Sequence, residues 1–207
     1  TIIGSDSDDE IFGGAGVDEI DGGLGDDDIT GGTGADIQRG GAGNDTFIWN
    51  NGDGPDDNFG GDGSDLFDFT GADGADDNIR LIPGNAAGDG GGDGTHSAPD
   101  FKLTRTAPSA FTIENSGIEF ASVAGLGGND LIDASAIDAG VFEGDPEFFN
   151  AGVFISGGPG SDTLLGTQGI DILAGGSGDD TIIGNRGNDF GLGDAFIEPD
   201  ADDAPGN

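Results

Sequence analysis

Aspartates recur every nine residues between Gly157 and Gly184, and each one closes a short glycine-rich segment. The stretch reads GGPGSDTLL, GTQGIDILA and GGSGDDTII, and then begins again. Because glycine permits positive φ and close backbone approach, such a segment can turn sharply and aim several carbonyl oxygens at one point. Carbonyl oxygens and a carboxylate form a site for a hard cation, and about six to eight flexible oxygens suit Ca²⁺ better than Mg²⁺. The spacing therefore predicts calcium chemistry.

A short strand must follow each of these turns to position the next one. The three residues after each aspartate are β-type, and only the middle one is reliably large and apolar. This pattern predicts a strand with one inward and two outward side chains. The inward residues of the stretch are Leu164, Leu173 and Ile182. A fixed short period of this kind is typical of a solenoid built from turn-plus-strand units.

The nonapeptide Gly-Gly-x-Gly-x-Asp-x-(large aliphatic)-x resembles the repeat of the RTX, or haemolysin-type calcium-binding, family. Four consecutive copies in register, and a longer array near the N-terminus, carry the resemblance. The resemblance implies an all-β fold, a calcium-stabilised parallel β-roll or solenoid, in which two nonapeptides make one coil. It also implies one Ca²⁺ between each two turns that stack on the same edge. We expect two such arrays with an irregular β insert between them.

The N-terminal array begins at Gly4 and is interrupted by two-residue insertions at Trp49-Asn50 and Phe69-Thr70. Its turn-closing acids are Asp9, Asp18, Asp27, Asp36, Asp45, Asp56, Asp65 and Asp76. Those of the C-terminal array are Asp162, Asp171, Asp180 and Asp189. Polar residues take three of the inward places, and we expect them to weaken one wall of the core. They are Gln38, Asn58 and Asn78.

For the ligands, the resemblance implies that the earlier turn of a stacked pair gives its Asp and the carbonyls of places two and four. The later turn gives its Asp and the carbonyls of places one and three. The resemblance pairs Asp9 with Asp27, Asp18 with Asp36, Asp27 with Asp45, Asp162 with Asp180, and Asp171 with Asp189. The insertions stretch three further pairs, Asp36 with Asp56, Asp45 with Asp65, and Asp56 with Asp76, and leave Asp130 without a partner two repeats away. The glycine carbonyls assigned in this way are those of Gly14, Gly16, Gly22, Gly23, Gly25, Gly31, Gly40, Gly41, Gly43, Gly60, Gly158, Gly160, Gly169, Gly175 and Gly184. With five intact and three stretched pairs, we expect about five to eight Ca²⁺ ions.

The composition is strongly acidic, with 42 Asp+Glu against 5 Lys+Arg and a formal net charge of -37. Such a chain repels nucleic acid and anionic membranes, so neither is an expected partner. Cysteine is absent, which excludes disulfides and thiolate chemistry, and no apolar run approaches the roughly 18 residues of a membrane span. The acidic surface of a halophile would also account for the charge, but it does not explain the nonapeptide phasing.

Hydrophobic burial alone is too small to fold these repeats. Burying the one large side chain of a nonapeptide contributes roughly 1.5–3 kcal/mol. Ordering each of its backbone residues costs on the order of 1–2 kcal/mol. We therefore expect cation binding to supply the difference, so that the calcium-free chain is largely unfolded.

The domain organisation expected is an RTX β-roll over 1–80, a Gly-rich loop plus short β-strands over 81–124, and a second RTX β-roll with one enlarged coil over 125–198. An acidic tail over 199–207 follows. In or beside the insert, the basic residues Arg80, Lys102 and Arg105 favour an edge strand whose charges discourage edge pairing. The alternative is a docking face for an acidic subunit. His96 lies in the Gly-rich loop, where a bystander role is expected, and Thr1-Ile2-Ile3 reads as the end of a repeat, as in a piece of a longer protein.

No catalytic constellation is present in the sequence: it has one His, no Cys, and neither an HExxH nor a GxSxG motif. We therefore expect a non-enzymatic, secreted calcium-binding module with a structural role in an adhesin, surface layer or extracellular filament. The alternative is an accessory domain of a type I-secreted enzyme or toxin whose catalytic part lies outside this chain. The expected location is extracellular or at the cell surface. Solenoid ends with open sheet edges favour self-association, and no membrane insertion is expected.

Overall fold

The computed structural model describes residues 1–84, 101–138 and 153–193, together with a two-residue strand at 196–197. Those residues form strands and turns but no helix, and they accordingly contain no helical segment that could cross a membrane. His96, most of the Gly-rich loop, most of the enlarged coil and the acidic tail lie outside the described residues.

Nineteen strands are found in the described residues. They are β1 (Ile2–Ile3), β2 (Glu10–Ala15), β3 (Glu19–Leu24), β4 (Asp28–Thr33), β5 (Ile37–Ala42), β6 (Thr46–Trp49), β7 (Asp57–Asp62), β8 (Leu66–Thr70), β9 (Asn78–Pro83), β10 (Phe101–Ala107), β11 (Phe111–Ser116), β12 (Phe120–Ala124), β13 (Leu131–Asp133), β14 (Val153–Pro159), β15 (Thr163–Leu165), β16 (Ile172–Ser177), β17 (Thr181–Ile183), β18 (Phe190–Leu192) and β19 (Phe196–Ile197).

Each repeat forms its strand directly after the turn-closing acid, where the β-type residues lie. In β4 the side chain of Ile29 is buried, while Asp28 before it is exposed and Thr30 after it is half-buried. This alternation is the period of two that a strand imposes on its side chains. The aliphatic place of each nonapeptide thus faces the interior, as at Ile11 and Ile20.

Successive nonapeptides join opposite sheets, so each coil adds one strand to both. Sheet A has eleven strands in the order β1-β3-β5-β7-β11-β10-β9-β13-β15-β17-β19, and sheet B has eight in the order β18-β16-β14-β12-β8-β6-β4-β2. Within the arrays the neighbouring strands are parallel and lie one coil apart, as in the pairs Ile11 with Ile29 and Ile20 with Gln38. The predicted all-β parallel β-roll is confirmed.

Both sheets continue across the insert. In sheet A, β10 pairs antiparallel with β9 and with β11, while β11 is parallel to β7 and β9 is parallel to β13. In sheet B, β12 pairs in parallel with both β8 and β14. The insert is therefore a junction through which the two repeat arrays share both sheets.

The edge-strand interpretation of the basic residues is wrong, because β10 has a hydrogen-bonded neighbour on each side. Arg105 is 1% exposed. The Lys102 ammonium lies 2.7 Å from Glu114, and the Arg80 guanidinium lies 3.3 Å from Asp133. These charges are matched within the junction rather than displayed along an open edge.

Aromatic side chains fill the core at the junction. The two insertions begin at the ends of β6 and β8, and each adds one inward aromatic residue, Trp49 and Phe69. Their rings stack at 4.6 Å, and Trp49 also lies 4.6 Å from Phe111 of β11. The insertions therefore enlarge the core where the hairpin enters it.

A buried row of amides crosses sheet A beside this cluster. Gln38 Nε2 donates to Asn58 Oδ1 at 3.1 Å, and Asn58 Nδ2 donates to Asn115 Oδ1 at 2.9 Å. The polar residues at 38 and 58 thus form a hydrogen-bonded row inside the wall. The third expected position was wrong, because Ile79 rather than Asn78 faces the core in β9.

Candidate functional site

Hydrogen bonds link the turn-closing acids into ladders along the edges of the roll. The backbone N–H of Asp9 donates to Oδ1 of Asp27 at 2.8 Å, and that of Asp27 donates to Oδ1 of Asp45 at 2.9 Å. The same bond joins Asp18 to Asp36, Asp162 to Asp180, and Asp171 to Asp189. All five intact pairs of the sequence analysis are therefore stacked in the structure.

Two of the three stretched pairs are stacked as well. The N–H of Asp36 donates to Asp56 Oδ1 at 3.0 Å, and that of Asp45 donates to Asp65 Oδ1 at 2.8 Å. After the first insertion the chain turns outside the roll, where Asn50 N–H donates to Asp53, so the following acid regains its place. The repeat tolerates an insertion because the extra residues leave the stacked turn unchanged.

The third stretched pair, Asp56 with Asp76, does not form. Strand β11 lies beside β7 with Glu114 opposite Asp57, which places Ile113 rather than an acid beside Asp56. In the turn at 71–77 the buried acid is Asp77, whose N–H donates to Asp130 Oδ1 at 2.7 Å. The prediction that Asp76 closes this turn is wrong, because the turn has one more residue before its buried acid than a regular nonapeptide has. Asp76 lies one place earlier, where its Oδ1 accepts from Asn129 N–H.

Two acids that the repeat pattern left unpartnered complete the ladders. Asp130 accepts from Asp77, and its own N–H donates to Asp162 Oδ1 at 2.7 Å. Glu119 accepts from the N–H of Asp65 at 2.8 Å. Their partners lie 32 to 54 residues away because the insert and the enlarged coil intervene, so a search two repeats along cannot find them. The GLGGND motif that ends at Asp130 was the available signal, whereas Glu119 has none.

The second carboxylate oxygen of the ladder acids is buried, and for most of them it has no hydrogen-bond partner within the described part of the chain. Those acids are Asp27, Asp36, Asp45, Asp65, Asp130, Asp162 and Asp180. A buried polar atom in this state is costly unless something else compensates its charge. This row of buried, unbonded carboxylate oxygens therefore points to a ligand that accepts electron pairs, as a metal cation does.

Backbone carbonyls converge on the same places. At Gly22, a Cβ would overlap Asp27 Oδ2 and would come 2.6 Å from the carbonyl oxygen of Gly40. At Gly40, a Cβ would meet Asp45 Oδ2 and the carbonyl of Gly60. The missing side chain of the first glycine thus leaves room for a carboxylate oxygen and a carbonyl of the next coil.

The second and fourth places supply carbonyls from the preceding coil. The carbonyl of Gly14 points at Gly32 and that of Gly16 points at Gly34, so closely that a Cβ on either later glycine would overlap it. The same holds for the expected carbonyls of Gly23, Gly25, Gly41, Gly43, Gly158, Gly160 and Gly169. The first-place carbonyls of Gly22, Gly31, Gly40, Gly60 and Gly184 point back at the previous coil, and Gly175 lies against Asp180 Oδ2.

The donor set consists of oxygens, most of them from the main chain. In the described ranges no three acidic or histidine side chains converge as a metal-binding group. A cation between two turns would therefore meet the carboxylates of one stacked pair and the carbonyls of both turns. Such a set fits Ca²⁺, which accepts carboxylate and backbone oxygens in flexible geometry.

Burial raises the pKa values of several ladder carboxyls. The pKa of Asp45 and of Asp130 rises to about 6, and that of Asp56, Asp65 and Asp171 to about 7, mainly because burial disfavours the charged form. Neighbouring carboxylates raise these values further, while the backbone N–H bonds lower them. Ionised ladders are therefore unfavourable until a cation offsets their charge.

A second, outer ladder was missed by the sequence analysis. The N–H of Asp26 donates to Asp8 Oδ1 at 3.0 Å, that of Asn44 to Asp26 at 2.7 Å, and that of Ser64 to Asn44 at 3.0 Å. These bonds join the residues just before the turn-closing acids and run in the opposite direction. Asp, Asn and Ser in the fifth place were the signal, since their short side chains can bond a backbone N–H one coil away.

Comparison with known proteins agrees with this geometry. A family model described as the RTX calcium-binding nonapeptide repeat (4 copies) matches residues 1–29, 21–54 and 156–191. No curated protein matches the chain. The matched segments contain the regular parts of both arrays, and the junction lies between them.

Proposed function

We propose that this chain, whose repeats match the RTX calcium-binding nonapeptide repeat family, is a secreted structural module that folds when Ca²⁺ binds between its stacked turns. The observation that supports this most strongly is the row of buried carboxylate oxygens without hydrogen-bond partners, beside convergent backbone carbonyls. Calcium is the chemistry that compensates such a row, and its binding free energy then adds to that of folding.

The ion positions that we propose lie between the acids joined by the ladder bonds. Nine pairs of aspartates stack in the described residues. We therefore expect about nine ions at saturation, just above the range of five to eight that the sequence suggests. In each site the earlier Asp supplies a carboxylate oxygen and the later turn supplies its first-place carbonyl. That oxygen has no hydrogen-bond partner among the described residues in Asp27, Asp36, Asp45, Asp130 and Asp162.

An extracellular location follows from the same chemistry. With a formal charge of -37 for the chain, the calcium-free repeat arrays repel themselves and stay extended, so the repeats remain unfolded until the chain meets calcium. Folding would then follow where free calcium is abundant. A structural role is proposed because the chemistry of the described residues is accounted for by ion binding and core packing. If the alternative role holds, the full-length sequence will contain a catalytic domain beside this module.

We also propose end-to-end assembly between copies. The outermost strands of sheet B are β2 and β18, and both carry exposed apolar side chains. Phe12 of β2 is 62% exposed, and Phe190 of β18 is 59% exposed. An open strand edge with apolar neighbours is a surface on which another sheet can continue. Sedimentation in calcium should show concentration-dependent association, and a strict monomer at high concentration would refute this part of the proposal.

A calcium titration followed by circular dichroism tests the main proposal. The sheet signal should be low in chelator and rise cooperatively with calcium, whereas the same concentrations of magnesium should have little effect. The matched control is the same titration at high monovalent salt, which screens repulsion without supplying a divalent ligand. A sheet signal and melting point that survive exhaustive chelation unchanged would contradict the proposal.

A further inference from the structure

One ladder acid faces a buried arginine. Nε of Arg105, on β10, lies 2.6 Å from Oδ1 of Asp77, and both side chains are fully buried. The other ion pairs of the described residues, Arg39 with Glu19, Arg80 with Asp133 and Lys102 with Glu114, are at least partly exposed and lie outside the ladders. A buried ion pair requires a specific arrangement, because two charges must leave water together.

Asp77 occupies its turn as the other ladder acids occupy theirs. Its N–H donates to Asp130 one coil on, and its Oδ2 accepts from Ala72 N–H at 2.7 Å and lies where a Cβ of Gly71 would be. Its Oδ2 therefore faces the next coil, as it does in the calcium-type turns described above. Asp77 differs from most ladder acids in the Ala72 bond to its Oδ2 and on the side that faces the preceding strand.

On that side the ladder has no further acid. In the arrays, Oδ1 of each acid meets the N–H of the acid in the preceding coil. Asp77 instead has β10 beside its strand, running antiparallel, and the guanidinium of Arg105 meets its Oδ1. A fixed positive charge thus stands where the preceding turn would otherwise be.

The guanidinium is held in place by neutral partners. Nε donates to the carbonyl of Ala107 at 3.1 Å, and Nη1 donates to Asn51 Oδ1 at 2.9 Å. The guanidinium carbon lies 5.7 Å from the ring centre of Phe111, within the range of a cation–π contact. These partners come from the hairpin and from Asn51, the residue that follows the first insertion.

We propose that Arg105 is a built-in cation that replaces calcium on this side of Asp77, so that the junction folds without calcium. The inference rests on the proposed function for the rest of the chain. The junction, together with β6 and β8 on which it packs through Trp49, Phe69 and Phe111, forms one block with an aromatic core. Asp77 is the first acid of the ladder that continues through Asp130, Asp162 and Asp180, and Arg105 neutralises it. This block is therefore the template on which calcium assembles both arrays.

Trp49 is the only tryptophan of the chain and is 2% exposed within the block, so its emission reports the junction alone. In chelator, the wild-type protein should keep the emission of a buried indole and a cooperative thermal transition, while far-UV dichroism loses most of its sheet signal. Added calcium should then restore the sheet signal with little change in emission. If the emission and the sheet signal change together at one calcium concentration, the proposal is wrong.

Arg105→Met tests the cation directly, with Lys102→Met as the matched control. The first variant should show a solvent-exposed Trp49 in chelator and regain the buried emission only with calcium. The control removes one positive charge from the same strand, but from a partly exposed pair, and should behave as wild type. Equal behaviour of the two variants would overturn the proposal.

A double variant that lacks both buried charges keeps the test decisive if Arg105→Met does not fold even in calcium. Asp77→Asn combined with Arg105→Met removes both buried charges and leaves no buried carboxylate without its cation, so it should retain the buried emission in chelator. If this double variant is as unfolded as Arg105→Met, Arg105 acts through packing and not as a cation. A sheet signal that never responds to calcium would refute the proposed function instead, and the emission of wild type and variants would still test the ion pair.

Discussion

Replacing Asp45 by Asn is expected to stabilise the calcium-free fold and to weaken calcium binding. Oδ1 of Asp45 accepts from Asp27 N–H at 2.9 Å, a bond that an amide oxygen can keep. Oδ2 is buried without a hydrogen-bond partner in the described residues, near the carbonyl of Gly60. An amide NH₂ in that place is neutral and can donate toward the carbonyl, so Asn suits the metal-free turn better than a carboxylate.

The size of the effect follows from the pKa of Asp45, which burial raises from 3.8 to about 6. A group with a raised pKa in the folded state stabilises the fold below its unfolded pKa and loses that contribution as the pH rises through the folded value. Near neutral pH the ionised Asp45 therefore costs the metal-free fold about 3 kcal/mol, which Asn removes. In calcium the Asp45→Asn substitution becomes destabilising, because the Asp45 carboxylate is shared by the sites with Asp27 and with Asp65.

Osmolyte-induced folding in chelator measures the first effect, since osmolytes favour the compact state without supplying a ligand. The osmolyte midpoint of Asp45→Asn should be lower than that of wild type. Its calcium midpoint should be at least about tenfold higher, which corresponds to about 1.4 kcal/mol. Asp28→Asn is the control, because it removes the same charge from an exposed side chain of the neighbouring coil. If both variants shift both midpoints equally, general charge repulsion explains the data and the ladder argument is refuted.

Three further predictions concern pH, backbone space and the amide row. In chelator, lowering the pH from about 7.5 to about 4.5 should restore part of the sheet dichroism, because Asp56, Asp65 and Asp171, with pKa values of about 7, become protonated. An unchanged or weaker sheet signal at the lower pH would contradict the assigned burial. Gly32→Ala should abolish calcium-dependent folding of the first coils, because φ is +91° and the Gly14 carbonyl lies where the Cβ must go. The control Gly14→Ala, with φ of +98° and open space around the Cβ, should cost only about 1–2 kcal/mol of stability in thermal unfolding. Equal costs for the two variants would refute the close stacking. Asn58→Leu should destabilise the folded protein by about 1–3 kcal/mol in thermal unfolding, because Gln38 and Asn115 lose their buried partner, whereas a neutral or stabilising effect would show that the amide row contributes nothing.

The regular parts of the fold could be predicted because each nonapeptide specifies its own turn and strand. The place of Asp27, for example, is set by Gly22 five residues earlier and by Ile29 two residues later, all within one repeat. The coils then stack because identical units present identical hydrogen-bonding edges. The insertion at Trp49-Asn50 did not change this, since the extra residues turn outside the stacked edge.

The strand pairing of the junction could not be predicted, because its contacts join residues distant in sequence. The pairing of β7 with β11 joins residues 57 apart, and nothing in the local pattern indicates it. The turn at 71–77 contains two adjacent acids, and only the stacking on Asn129 and Asp130 decides that Asp77 is buried rather than Asp76. The sequence favours a surface position for Arg105 because buried arginines are rare, and the nonapeptide register selects Asp76 rather than its partner Asp77.

Anomalous scattering from crystals grown in calcium is the most direct test of ion-driven folding. A peak should lie between each two stacked turns, next to the unbonded oxygens of Asp27, Asp45 and Asp162 and the carbonyls that face them. The side of Asp77 that faces Arg105 should show none. A folded roll whose stacked turns carry no anomalous signal in saturating calcium would contradict the account.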